Sequence, residues 1–160
     1  MSGEFPVECN TTKGFAERVP KNLQFIIDQR REGADVHEVT QLVMSLLGLI
    51  VFPYEVGALQ KIKNKDLGKL TNQGWPQWEN LQDERNDTKT LGDLTRHLRN
   101  AVSHRRLQFS SDDRALNEVE IEFWDGPSKN KTNWRAKIKG DNLKKFCDKF
   151  AEALHNSGAG

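Results

Sequence analysis

Apolar residues recur at helical spacing over most of this chain, and towards its end the spacing changes to two. Leu23, Ile26 and Ile27, with the stem of Arg30, lie on one helical face. Pro20 just before them suits a first helical position, where its missing N–H would have no partner, so a first helix is predicted from there to about Gly33. Asp35 followed by Glu38 has the form of a capping box. A second helix should open there and run through Val39, Leu42, Val43, Leu46, Leu47 and Ile50, ending or kinking near Phe52 because Pro53 follows. Beyond Leu42 it is apolar on nearly all sides, as helices enclosed by neighbours or by a second subunit are. Ser45 and Gly48 interrupt the apolar run, which is about half the length needed to cross a bilayer, so it reads as a buried helix.

Thr90 with Asp93 gives another capping-box pattern and opens a third helix, on which Leu91, Leu94, Leu98, Ala101 and Val102 form a stripe. At about 100° per residue, Arg96, Arg99, Asn100 and Ser103 point roughly opposite, with His104 at the far flank. After Phe109 the period is two. Val119, Ile121 and Phe123 alternate with glutamates, and Trp134, Ala136 and Ile138 with Arg135, Lys137 and Lys139. This predicts a β-hairpin within 117–139 around the DGPSKNK loop. Its acidic and basic outer faces are set to pair across the strands. Asp141 caps a last helix carrying Leu143, Phe146, Phe150 and Leu154.

The remaining stretches are less patterned. Residues 1–18 are predicted as an irregular arm and 156–160 as a fraying tail, with one helical domain over 19–155. Residues 57–89 hold a basic set, the Gly74-Trp75-Pro76-Gln77-Trp78 segment and a polar run. A connection that long calls for a short helix, for packing by Trp75 and Trp78, or for a substrate-facing loop. Packing is the plainer role of the tryptophans; stacking on unpaired bases is the other. The fold class is therefore mainly α: about four main helices, with a β-hairpin inserted between the third and fourth.

Composition adds limits. A chain of 160 residues can bury a core without staples, and a net charge of +1 announces no nucleic-acid binder, so any such role rests on local clustering. Cys9 and Cys147 match no metal spacing and read as reduced thiols, a lone disulfide being the alternative. The start, MSGEFPVECN, bears an acid where a signal peptide wants basic residues, which predicts a cytoplasmic protein. There is no Gly-rich phosphate loop, no G-x-S-x-G and no HExxH, and His37 with His97 has no metal-like spacing, so no cofactor and no metal site are expected. His97 and His155 read as surface residues, and His37 as a structural one within a capping segment.

The densest phosphate-seeking set is Thr95 to Arg106, TRHLRNAVSHRR. A histidine and consecutive arginines at a helix C-terminus can simply complement the helix dipole. The segment Arg99-Asn100-Ala101-Val102-Ser103-His104, however, resembles the motif of the HEPN superfamily (higher eukaryotes and prokaryotes nucleotide-binding domains). There an Arg, often followed by a polar residue, precedes a His by four to six residues near the end of the third helix of an α-bundle. The apolar second helix ending LLGLIVFPYE is also similar to that family, and the resemblance spans roughly 20–109 plus the closing helix; the hairpin departs from it.

The resemblance implies an up-down helical bundle and metal-independent RNA cleavage by 2′-hydroxyl attack in a toxin, antiviral-defence or stress setting. His104 would be base or acid, since an unperturbed imidazole titrates at about 6.5. Arg99 would hold the scissile phosphate, and Asn100 would orient the imidazole or the phosphate. Dimerisation would bring two motifs to one cleft, with Arg96, Ser103, Arg105 and Arg106 contacting RNA phosphates. The partners implied are RNA, a second copy of the chain and an antitoxin or other regulator. The alternative is a non-catalytic binding or regulatory module for RNA, a nucleotide or a partner protein.

Overall fold

The computed structural model describes residues 12–55 and 57–157, with the backbone alone at 54 and 55. It has five α-helices and one four-stranded antiparallel sheet. Helix α1 spans Thr12–Arg31 and α2 Glu38–Glu55. The first therefore starts well before Pro20, and residues 12–18, expected as part of an irregular arm, are helical. Residues 1–11 of that arm, with Cys9, lie outside the described residues. An interior proline costs a helix roughly 3 kcal/mol, and tertiary burial offsets it here. Thr12, Gly14 and Ala16 are buried, and Phe15 stacks on Phe52 with ring centroids 4.9 Å apart.

Helix α2 begins three residues later than expected. Asp35 stays outside it, while His37 stands at the cap position, its carbonyl accepting the Gln41 N–H. Pro53 sits in the last turn without ending the helix at Phe52. Val39, Leu42, Leu46, Leu49 and Ile50 are buried, and α2 packs against α1, α4 and α5, so neighbours of the same chain enclose most of its apolar surface. No helix among the described residues is long and apolar enough to cross a membrane.

The stretch 57–89 resolves into three short pieces: a 3-10 turn at Ala58–Lys61, helix α3 at Leu67–Asn72, and strand β1 at Glu79–Asp83. Trp75 and Trp78 pack edge-on against Phe146, and Trp78 also against Phe123. The packing role holds. Helix α4 occupies Leu91–Ser103 and is followed directly by β2, Leu107–Phe109. Strands β3, Glu120–Asp125, and β4, Trp134–Lys139, form the expected hairpin, with Glu120 opposite Lys139 and Glu122 opposite Lys137. Glu122 pairs with Arg135, and Lys137 lies 3.2 Å from Glu120 and 3.5 Å from Glu79.

The hairpin does not stand alone. It forms the middle of a sheet ordered β1-β4-β3-β2, flanked by two strands the hydrophobic pattern does not reveal. Strand β1, ENLQD, buries almost nothing and contributes mainly backbone bonds to the edge of β4; β2 is three residues long. Helix α5, Gly140–Asn156, starts one residue before Asp141, which lies in the first turn instead of capping it, and takes in Asn156 of the expected tail. Helix α4 lies between α2 and β3, and α5 touches both α1 and β4. The helix carrying the Arg–His motif is thus buried on one flank by helices and on the other by the sheet.

Candidate active site

Helix α4 starts on a complete capping box. The Asp93 N–H donates to Thr90 Oγ1 at 3.2 Å, and the Thr90 N–H to Asp93 Oδ2 at 2.9 Å. Burial works to raise the Asp93 pKa, but hydrogen bonds from Thr90 and Lys89 and the nearby Arg96 charge outweigh it and hold the carboxyl below its ordinary value. Leu91, Leu94, Leu98 and Ala101 are buried, Val102 half-buried. On the other side Arg96, Ser103 and His104 are exposed, while Arg99 and Asn100 are half-buried.

The helix ends in a Schellman turn. The Arg106 N–H donates to the Ala101 carbonyl at 2.7 Å and the Arg105 N–H to the Val102 carbonyl at 3.1 Å, which places His104 at the C-cap. Arg105 takes the left-handed position, with φ of 57°, where glycine is the usual residue. A side chain there costs about 1 kcal/mol. Arg105 is exposed, so a long cation is held outward at a site that glycine would fill at less cost. Arg105→Gly should therefore keep the fold, with stability unchanged or raised by up to about 1 kcal/mol. Urea unfolding checks this; a clear loss of stability would mean that the guanidinium serves the fold.

The main addition to the expected site is a buried pair. His97, expected at the surface, is 5% exposed; its ring stacks on Trp134 at 4.7 Å and 4°. Its Nδ1 lies 2.9 Å from Asp125 Oδ2, and its Nε2 lies 3.3 Å from the Arg96 guanidinium. A carboxylate accepts and a guanidinium donates, so both contacts are satisfied when Nδ1 carries the proton and Nε2 the lone pair. Asp125 is the hub. It also accepts from Asn100 Nδ2 at 3.1 Å and from the Gly126 N–H at 2.8 Å. Burial pushes its pKa up, but the hydrogen bonds from His97, Asn100 and Gly126 more than compensate, so the carboxyl lies below its ordinary range.

This hub fixes Asn100. With its amide nitrogen on Asp125, its Oδ1 faces the other way and accepts from the Arg99 guanidinium at 3.3 Å. The structure thus brings Arg99 and Asn100 together. His104 stands one helical turn beyond Asn100, on the same side of the helix.

Arg106, expected as a phosphate contact, has partners within the chain. It is largely buried: its guanidinium donates to the carbonyls of Gly126 (2.9 Å) and Ser128 (2.8 Å) and lies 3.7 Å from Asp125 Oδ1. It clamps the β3–β4 loop to the helix end. Gly126 suits that clamp, because a Cβ there would fall 1.8 Å from the Lys131 carbonyl oxygen.

A polar cavity of about 240 Å³ opens beside this network, walled by Arg85, Asp87, Arg96, His97, Asn100 and Trp134 among others. The other histidines lie apart from it: His37 is exposed, and His155 is half-buried with Nδ1 3.1 Å from Glu17 Oε1. Cys147 is buried in α5, where burial pushes its thiol pKa far up and makes it a poor nucleophile.

His97 and Asp125 are the site residues that motif reasoning missed, although a signal existed for each. Asp125 continues the inward positions Ile121 and Phe123 of β3, and His97 falls within about 20° of His104 around the helix.

No curated protein and no solved structure matches the chain. One family model does, over residues 4–159. With nearly its whole length matched, the protein belongs to that family, a HEPN family described as HEPN pEK499 p136.

Proposed function

We propose that this HEPN protein is a metal-independent endoribonuclease whose active site forms where the α4 helices of two subunits face each other. The observation that carries this reading is the oriented pair Arg99–Asn100, fixed through Asp125, with exposed His104 one turn further along the same helix. In this mechanism His104 of one subunit takes the proton of a ribose 2′-hydroxyl. The 2′-oxygen attacks the adjacent phosphorus, and the bond to the 5′-oxygen breaks. His104 of the second copy delivers a proton to that leaving oxygen. Arg99 spreads its guanidinium over the non-bridging oxygens, where charge gathers in the transition state.

Asn100 keeps Arg99 in place, so less ordering is left to be done when the substrate arrives. Arg96, Ser103 and Arg105 lie along the flank that RNA would follow, as cations and a hydroxyl for phosphates. Arg106 supports the site by holding the loop. A cytoplasmic toxin or antiviral-defence setting, with an antitoxin or regulator as restraint, completes the proposal.

The test is cleavage of single-stranded RNA in EDTA. Fragments ending in 2′,3′-cyclic phosphate and 5′-hydroxyl are expected, and DNA of the same sequence should stay intact because it lacks the nucleophile. RNA that is bound but never cut would replace this reading with that of a non-catalytic binding module.

A further inference from the structure

A second cavity, of about 530 Å³, opens where α1 ends and α2 and α5 begin. Residues 115–117, just before β3, form part of its wall, so it stands at the opposite end of that strand from Asp125 and shares no residue with the motif network. Glu38, which lines it, is the group that calls for a ligand. It is 7% exposed, yet its carboxylate has no hydrogen bond or ion pair with any described residue. Neither oxygen is shut off from solvent, so the group is within reach of a molecule in the cavity. The start of α2 favours a negative charge at this position but supplies its oxygens with no donor. A buried carboxylate without donors is costly. A cationic donor arriving through the cavity removes that cost.

We propose that this cavity binds a small zwitterion of the amino-acid class, with its ammonium group on Glu38 and its carboxylate on Arg30. The charges of the wall set that class. Lys144 is already paired with Asp148 at 2.7 Å and Arg31 with Asp28 at 3.6 Å, while Asp141 accepts the Asn142 N–H at 2.9 Å. Arg30 makes one long bond, 3.4 Å to the Asp113 carbonyl, and no ion pair with Glu38, so most of its donors stay open. A simple cation would enter against Arg30, Arg31 and Lys144, and a simple anion against Glu38 and Asp141. A molecule bearing both charges meets each with its opposite. Its carboxylate matches the planar fork of a guanidinium. The volume lies within the roughly 300–1,000 Å³ of small-ligand sites, and Ile27 and Leu116 suit an apolar side chain between the charges. Free amino acids and short peptides share this chemistry. The proposal is independent of RNA cleavage at α4.

Calorimetric titration of the full chain with glycine, leucine, leucyl-alanine and leucyl-alanyl-alanine tests it, with the N-acetylated and the C-amidated form of each as versions lacking one charge. A zwitterion should bind, and its acetylated and amidated forms should each bind about tenfold more weakly or worse. Binding of the free amino acids alone identifies them as the source, and binding of the peptides alone a peptide. Glu38→Gln keeps the shape and removes the charge; it should weaken binding about tenfold with little change in Tm, because no partner within the chain is lost. Arg30→Gln should weaken it as well, through the carboxylate. Absence of binding by every amino acid and peptide, equal affinity for an acetylated or amidated form, or affinity unchanged in either variant would overturn the assignment.

Discussion

His104→Ala is expected to lower RNA cleavage by about 10²- to 10⁴-fold, the range that a positioned proton-transfer group contributes. Stability should hardly move, because the side chain is exposed at a helix C-cap and surface replacements usually stay within about 0.5 kcal/mol. Arg99→Ala should lose activity on a similar scale by removing a cation from the developing charge; loss of one such electrostatic donor commonly costs about 10²- to 10³-fold. Substrate affinity should fall more in Arg99→Ala than in His104→Ala, since the guanidinium already meets the phosphate in the ground state. Initial cleavage rates in EDTA, with a melting curve for each variant, check both. Equal rates in wild type and His104→Ala would remove the nuclease mechanism from this helix.

Asp125→Ala should produce the largest loss of stability among single changes at the site, on the order of 3–5 kcal/mol at neutral pH, because it leaves buried partners unpaired. His97 Nδ1, Asn100 Nδ2 and the Gly126 N–H would lose an acceptor together, and Arg106 would lose the only carboxylate within ion-pair distance among the described residues. The pH dependence has a definite sign. The Asp125 carboxyl titrates below its ordinary value in the folded protein, so its stabilisation is complete above the unfolded carboxylate pKa of about 3.9 and is lost as pH falls through the lower folded value. The stability gap between wild type and Asp125→Ala in urea unfolding should thus be constant from neutral pH to about 5 and narrow below about 4. A gap that widens in acid would contradict the assignment. Cleavage should fall as well, by up to about a hundredfold, since Arg99 would lose its register through Asn100.

Much of this was legible from residue order because local chemistry and tertiary packing agree. The capping box at Thr90 and Asp93, the leucine stripe of α4, the alternating hairpin and the amphipathic α5 all appear where their patterns place them. Pattern failed where one signal was overruled by another. Pro20 looks like a helix start, yet burial of Ala16 and the Phe15–Phe52 stack carry α1 back to Thr12. Strand β1 has no apolar alternation to read, since it exists for its backbone bonds to β4.

Of the proposed site, Arg99, Asn100 and His104 could be picked out from a local spacing on one helix. Asp125 could not, because it reaches Asn100 from 25 residues further along the chain, through the packing of β3 against α4. A polar residue at an inward position of an alternating strand was the available clue. Arg106, expected to contact phosphate, has its guanidinium bonded to the loop that follows Asp125.

The composite site makes one demand that a single measurement can meet. Each subunit brings one His104, whereas the proposed reaction needs a base and an acid, so the active species must contain two copies of the 18.3 kDa chain. Sedimentation equilibrium of the wild-type protein under the conditions of RNA cleavage should give twice the chain mass, with activity following the dimer on dilution. A strictly monomeric protein that cleaves RNA at full rate would contradict the account.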